Sequence, residues 1–191
     1  GSATKPVFWV FYGTDASFFQ VTAPDPIPLN AWSHIAGSID SNGVMRVFVN
    51  GRQVASGTAP RPANLVARSS NRIGASHDPT IFNGSIADVR IWNYARTEAQ
   101  IQSTLPVGSI SGPTVGLMRA YPLGSTGADV LSDISLSGSN LTQVGSPEYR
   151  KTGPGFLSAQ GFQGSASLVT SAGQLTLPGN NTYTGTTTIG G

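Results

Sequence analysis

Carboxylates are the residues that could give this 191-residue chain catalytic chemistry, so their number and spacing come first. Hydrolysis of a glycosidic bond needs two carboxyl groups flanking that bond, about 5–10 Å apart. The only glutamates are Glu98, which falls in a helix-capping pattern, and Glu148, which follows a proline. We therefore predict that the chain is not an enzyme. A glycoside hydrolase with a degenerate site is the least favoured alternative.

Aspartates offer a second kind of site, because hard cations such as Ca²⁺ bind carboxylate and carbonyl oxygens in loops. The predicted ligands are Asp88, Asp78 and Asp40, with Ca²⁺ as the candidate cofactor. Asp88 stands out because it is predicted to lie within a strand, where the alternative is an ion pair with Arg90. Further candidates are Asp15, Asp129 and Asp133. No EF-hand spacing occurs.

The remaining chemically active residues are two histidines, since cysteine is absent and thiol nucleophiles and zinc–thiolate sites are thereby excluded. His34 is predicted to lie on a strand beside Trp32, and His77 in a polar loop. We interpret His34 as a packed side chain and His77 as a solvated one. Neither predicts a Ser/His/Asp site.

Aromatic side chains could stack on sugar rings, but Trp9, Trp32 and Trp92 all fall inside predicted strands. We therefore expect each tryptophan to belong to the core rather than to a sugar-binding platform. The residues predicted to be largely buried are Trp32, Ile35, Val47, Val49, Val89, Ile91 and Trp92.

The charge pattern limits the partners of the chain. Charged residues make up 10% of the sequence and the formal net charge is +2, against about 25% charged residues in typical globular proteins. Basic residues are not clustered, which argues against nucleic-acid binding. No apolar run approaches the ~18 residues of a membrane span. A surface rich in Ser, Thr, Asn and Gly is common on secreted bacterial proteins.

The elements that must position these residues are mostly strands. Asn50-Gly51 is the strongest hairpin signal in the chain and predicts a two-residue type I′ turn. It joins strands at 44–49 and 53–56, and an earlier turn at 40–43 joins 31–39 to 44–49. Further strands are predicted at 7–12, 18–22, 72–75, 85–92 and 116–123. Thr97 and Gln100 form a capping box that begins the only predicted helix.

The stretch from Leu29 to Gln102 carries an ordered set of motifs, WSHIAGSID, MRVFVNGRQVA, RIGAS and FNGSIADVRIWNYARTEAQI. It resembles the laminin-G-like group of the concanavalin A-like lectin/glucanase superfamily. The resemblance implies an all-β fold, a concanavalin A-like antiparallel β-sandwich (jelly roll) with one short helix. It also implies calcium at a loop rim, as such sandwiches often hold it. It does not fix the function, because this fold hosts lectins, adhesins and hydrolases.

The predicted organisation is a laminin-G-like sandwich over residues 1–152, followed by a tail over residues 153–191. The tail is rich in Gly, Ser and Thr and ends in GQLTLPGNNTYTGTTTIGG. That end resembles an autotransporter passenger strand repeat, or the opening strand of a further laminin-G-like domain. Family members usually carry strands before the one that begins here at Val7. We therefore expect the tail to complete the same or a neighbouring sandwich.

The function predicted from these patterns is a non-enzymatic adhesion or assembly module. Its expected place is extracellular, on a bacterial cell surface or in a matrix. The expected partners are further copies of the chain, joined head to tail into filaments by strand donation, or surface glycans. The alternative is a calcium-dependent carbohydrate-binding lectin.

Overall fold

A computed structural model gives the fold of the protein. The structure describes the residues in the following ranges: 4–11, 18–60, 71–75, 81–105, 110, 112–123, 131–135 and 137–145, together with the backbone at 163–164, 168–170, 182–183 and 187–189.

The first two strands form an antiparallel hairpin, β1 (Val7–Phe11) and β2 (Phe18–Thr22), with Trp9 opposite Gln20 and Phe11 opposite Phe18. Side chains alternate between the two faces of a strand. Phe8 of β1 and Val21 of β2 therefore point inward, and both pack in the core.

The next three strands form the predicted meander, β3 (Ile35–Ile39), β4 (Val44–Val49) and β5 (Arg52–Thr58), in the order β3–β4–β5. Asn50 and Gly51 both have positive φ, 50° and 78°, as a type I′ turn requires. The β4–β5 register shifts between Val47 and Phe48. Ala55 pairs with Val47 and Gln53 with Phe48, so the extra residue of this bulge is Val54 of β5. The bulge lets both Val54 and Ala55 pack against the core although strict alternation predicts opposite faces.

The β1–β2 hairpin packs on this meander, and the main core lies between the two layers. Its buried members are Val21, Ala23, Met45, Val47 and Ala59. The layers approach each other closely at Gly37, where a Cβ atom would lie 2.5 Å from Cδ2 of Phe8. No larger residue fits at this position without moving the Phe8 ring.

A second antiparallel pair contains β6 (Val89–Trp92) and β7 (Leu117–Tyr121), separated in sequence by the helix α1 (Glu98–Gln102). The predicted capping box is confirmed, since Thr97 Oγ1 accepts from the Gln100 N–H and Gln100 Oε1 accepts from the Thr97 N–H. A smaller cluster of Ile110, Leu117 and Ala120 packs with Trp92.

The predicted fold class is confirmed: described strands of the sandwich pair antiparallel, and one short helix is present. Three strand predictions need correction. The strand predicted at 31–39 begins only at Ile35, so Trp32 and His34 precede it. Residues 72–75 contribute only an isolated bridge from Ala75 to Ile81. The strand predicted at 85–92 is confined to β6, because Asp88 has a φ of 56° and interrupts extended backbone there.

The predicted core is partly wrong. Val47 is fully buried, and Val49, Val89 and Trp92 are half-buried. Trp32, Ile35 and Ile91 are instead 45%, 48% and 51% exposed. The reason is that all three side chains line an open cleft between β3 and β6, which no described strand covers.

The tail contains four short strands, β8 (Gln163–Gly164), β9 (Leu168–Thr170), β10 (Thr182–Tyr183) and β11 (Thr187–Ile189). They pair with one another in parallel, β10 with β8 and β11 with β9. The paired residues are separated by the same number of positions in both pairs, with Thr182 opposite Gln163 and Ile189 opposite Thr170. Completion of a sandwich by the tail therefore stays a prediction.

Candidate functional site

Three aromatic rings lie together on the outer face of the β1–β2 hairpin. We call this surface, made of Trp9, Phe11 and Phe18, the aromatic platform. Trp9 and Phe18 stack with ring centroids 4.9 Å apart and an interplanar angle of 9°, and Phe11 lies 5.7 Å from Trp9 and 5.6 Å from Phe18. Trp9 is 48% exposed and Phe18 is 42% exposed. Contiguous exposed apolar surface of this kind marks binding sites.

The prediction that Trp9 belongs to the core is therefore wrong. The run from Val7 to Tyr12 is apolar throughout, so its own sequence does not show which face is solvated. The partner strand held the missing signal, because Gln20 and Thr22 alternate with Phe19 and Val21 and mark one face as solvated. The antiparallel register places Trp9 opposite Gln20, on that solvated face.

Asp88 forms an ion pair with Arg90 at the start of β6. The Arg90 Nε donates to Asp88 Oδ1 at 2.6 Å, and Nη2 donates to Asp88 Oδ2. Arg90 also donates to the carbonyl oxygen of Thr104 at 2.5 Å and so ties β6 to the end of the helix. This ion pair is the predicted alternative to a metal site at Asp88. Both carboxylate oxygens are engaged.

Asp40 closes the turn between β3 and β4. Its Oδ1 accepts from the N–H groups of Asn42 and Val44, at 2.9 and 3.0 Å, and its Oδ2 accepts from Arg46 at 2.8 Å. The Arg46 hydrogen bond, together with the backbone donors, lowers the pKa of Asp40. Asp40 therefore acts as the acceptor that fixes the turn geometry.

Asp78, the third predicted ligand, lies outside the described residues, as do Asp15 and Asp129. Within the described ranges, no three histidine, aspartate or glutamate side chains gather where they could hold a metal ion. Because Asp40 and Asp88 each bind an arginine, their present geometry does not fit a calcium cage. Calcium binding by this chain stays a prediction.

Asp133 is the one buried charged residue in the described part of the chain. Its Oδ1 accepts from the N–H groups of Ala120 and Ser135, both at 3.0 Å, and its Oδ2 accepts from the Ser137 hydroxyl. Burial raises the pKa of Asp133, but the hydrogen bonds from Ser137, Ala120 and Ser135 together outweigh it and hold the pKa well below its usual range. Asp133 therefore anchors the segment after β7 to that strand.

His34 precedes β3, and its backbone N–H donates to the side-chain oxygen of Asn50 at 2.9 Å. Burial lowers the pKa of His34, and the nearby Arg90 lowers it further. The imidazole is therefore neutral near pH 7. Its Nδ1 atom has no hydrogen-bond partner. This geometry agrees with the interpretation of His34 as a packed side chain.

A cleft of about 950 Å³ separates β3 from β6. Residues 31–39 line one side and residues 85–96 the other. Trp92 borders the cleft but is covered by Arg96, whose guanidinium carbon lies 4.2 Å from the centroid of the Trp92 ring.

No helix in the described part of the chain is long and apolar enough to cross a membrane.

Comparisons with known proteins place this geometry in a family. The laminin-G-like family model described as the concanavalin A-like lectin/glucanases superfamily matches residues 1–102. No curated protein matches the chain. One similar solved structure is a candidate carbohydrate binding protein from Bacteroides ovatus, with 26% identity and a TM-score of 0.47. Another is an S-layer domain-containing protein from Clostridium thermocellum, with 21% identity and a TM-score of 0.32.

The aligned region covers 55% of this chain and 31% of the Bacteroides ovatus chain. For the Clostridium thermocellum chain the two shares are 52% and 50%. The chain thus spans half or less of the length of these two proteins. The family model, in contrast, covers more than half of the chain, and its strands β1 to β6 and helix α1 all lie within the matched residues. The chain belongs to the concanavalin A-like lectin/glucanases superfamily.

Proposed function

We propose that this chain is a non-enzymatic glycan-binding module of a bacterial surface or matrix protein, serving adhesion. The observation that carries the proposal is the aromatic platform, in which Trp9 and Phe18 stack and expose nearly half of their surface. The C–H groups of a sugar ring carry partial positive charge and stack on the negative face of an aromatic ring.

Polar groups stand beside the platform, as recognition of a hydroxylated ring requires. Gln20 lies directly opposite Trp9 on the neighbouring strand and is exposed. Its amide both donates and accepts hydrogen bonds, so it can bind a sugar hydroxyl in either sense. Thr22, on the same face of β2, adds a hydroxyl.

The carboxylates support a binding role over a catalytic one. Asp40 and Asp88 each pair with an arginine, and the buried Asp133 carboxylate already accepts hydrogen bonds from protein groups such as the Ala120 N–H. Glu98 accepts from the Gln53 N–H at 2.7 Å and so ties α1 to β5. None of these groups stands beside the aromatic platform in the role of a general acid or nucleophile.

The proposed location, outside the cell, follows from the surface chemistry rather than from any targeting feature. The chain has few charged residues and no cysteine, and Ser, Thr, Asn and Gly supply much of its polarity. A polar but weakly charged surface suits an adhesive module that meets neutral glycans, because little ordered charge must be desolvated on binding.

A glycan array with the full chain, Trp9→Ala and Trp32→Ala tests the proposal. Trp32 is the matched control, because it is about as exposed as Trp9 but lines the cleft. We expect the wild type and Trp32→Ala to bind the same glycans and Trp9→Ala to lose them. Binding that survives in Trp9→Ala would exclude the platform as the site.

Two further arms of the same experiment separate the alternatives. Repeating the array with calcium and then with a chelator tests the predicted calcium dependence, since only a calcium lectin loses its signal on chelation. Incubating the bound oligosaccharides with the protein and analysing the products tests the glycoside hydrolase alternative. Released sugar would overturn the non-enzymatic assignment.

A further inference from the structure

The cleft between β3 and β6 has a free backbone edge. His34 O accepts from the Asn50 N–H, and the Asp40 N–H donates to Val44 O. Antiparallel pairing alternates between residues that face the partner strand and residues that face away. The N–H and C=O groups of Ile35, Gly37 and Ile39 therefore face away from β4, and no described strand pairs with them.

The walls of the cleft are apolar and exposed. Trp32 and Ile35 on one side, and Ile91 on the other, each expose about half of their surface, and Phe82 also lines the cleft and is exposed. Monomeric proteins rarely leave such a group of large apolar side chains uncovered. The cleft is therefore suited to an occupant that buries these side chains.

The unpaired backbone of β3 points to the same conclusion. Backbone N–H and C=O groups that lose contact with water need hydrogen-bond partners. An occupant that covers the apolar walls must therefore supply N–H and C=O groups of its own along the edge of β3. An extended polypeptide strand meets these requirements.

We infer that the cleft accepts the C-terminal segment 174–189 from a second copy of this chain as an added β-strand. Residues 153–191 contain no charged side chain. This suits a cleft in which Asp88 and Arg90 are paired with each other and the third charged side chain, Arg96, lies over the Trp92 ring. Tyr183 to Ile189 is rich in Thr and favours extended pairing.

The donor comes from another copy because the described strands of the tail do not pair with β3 of their own chain. Its described strands pair with one another instead, in ladders of two and three residues. Ladders this short are marginal. The edge of β3 offers five residues, which span about 17 Å of extended chain. Exchange of the tail into the cleft replaces a short ladder by a longer one and covers apolar surface.

Each copy would then donate one strand and accept another through different surfaces. Such a head-to-tail contact is heterologous and does not close on itself unless its rotation forms a ring. Concentrated protein is therefore expected to form open linear assemblies. This interaction is independent of the aromatic platform, so either can fail without the other.

Two variants of the full chain block the two halves of the contact. Ile35→Pro removes an N–H that faces away from β4, so it keeps the β3–β4 ladder while blocking the acceptor edge. Ile189→Asp places a charge in the uncharged donor segment and leaves the sandwich unchanged. Circular dichroism of both variants is the control that checks whether they keep their strands. The donor variant alone keeps the test valid if Ile35→Pro fails to fold.

Sedimentation velocity over a concentration series then gives the result. We expect the wild type to grow in mass with concentration, and each variant to self-associate at least about tenfold more weakly. An equal mixture of the two variants should form a complex of two copies, because each retains the half that the other lacks. A wild type that stays monomeric would overturn the inference. So would variants that assemble as the wild type does, or a mixture that stays monomeric.

Discussion

Removing the buried carboxylate of Asp133 should weaken the fold more than removing any other aspartate in the described residues. Asp133→Ala leaves the N–H groups of Ala120 and Ser135 without their acceptor, and the Ser137 hydroxyl loses its partner as well. A buried donor left unpaired costs about 1–3 kcal/mol. Ala120 is buried and Ser135 half-buried, so we expect a total loss of about 3 kcal/mol.

Asp133→Asn is the matched control for this loss. Its side-chain oxygen can keep the bonds from Ala120 and Ser135, so only the charge and the Oδ2 acceptor disappear. We expect a cost of about 1 kcal/mol. For a chain of this size 1 kcal/mol corresponds to roughly 2–4 °C in the melting temperature. The alanine variant should therefore melt roughly 6–12 °C below the wild type.

The pH dependence tests the cause. The pKa of Asp133 in the folded protein lies below the value of about 3.9 for an unfolded aspartate. The ionised carboxylate therefore contributes its full stability above pH ~4, and this contribution is lost as the pH falls further, toward the folded pKa. The difference in unfolding free energy between the wild type and Asp133→Asn should therefore become smaller as the pH falls from about 4 to about 2.

Urea denaturation followed by tryptophan fluorescence measures these differences at several pH values. An alanine variant that loses less than about 0.5 kcal/mol would refute the reasoning, because that is the range of ordinary surface substitutions. If the difference in unfolding free energy between the wild type and Asp133→Asn stays constant in acid, the charge of Asp133 does not contribute to stability.

Two further predictions concern packing and capping. Phe48→Ala should lower the unfolding free energy by about 3–5 kcal/mol, because Phe48 is 1% exposed and truncation leaves a cavity; a loss below 1 kcal/mol in urea denaturation would contradict its place in the core. Thr97→Ala should cost about 1 kcal/mol, because Thr97 Oγ1 accepts from the Gln100 N–H at the start of α1; Thr97→Ser, which keeps the hydroxyl, is the control, and equal losses in both variants would exclude the cap as the cause.

The sandwich could be predicted from the sequence because its signals are local. Asn50-Gly51 fixes a turn by backbone conformation alone, and Thr97 with Gln100 fixes a helix start by two reciprocal hydrogen bonds. Such features depend on a few neighbouring residues. The family resemblance then gave the fold class, and the family model confirms the family over residues 1–102.

The site could not be predicted in the same way because it depends on which sheet faces are covered. Trp9 lies in a strand, as predicted, and Trp32 precedes β3, yet both are exposed. Periodicity identifies the two faces of a strand but does not show which neighbour covers each face. For β1 the polar residues of β2 gave that information, and for β3 only the sheet order gives it.

Asp88 illustrates a second limit. The alternation of apolar residues around it predicted a continuous strand, and a carboxylate inside a strand suggested a ligand. The left-handed backbone at Asp88 ends the strand there, and the side chain turns to Arg90. A single residue with positive φ is not visible in hydrophobic periodicity, because asparagine and aspartate adopt this conformation without a change in the pattern.

The most direct test of the account is a calorimetric titration of the full chain, Trp9→Ala and Trp32→Ala with the soluble oligosaccharide that gives the strongest array signal. Stacking on the aromatic platform predicts that Trp9→Ala binds at least about tenfold more weakly, which is about 1.4 kcal/mol, and that Trp32→Ala binds as the wild type does. Equal affinity of the wild type and Trp9→Ala would contradict the central claim, and loss of binding in Trp32→Ala alone would move the site to the cleft.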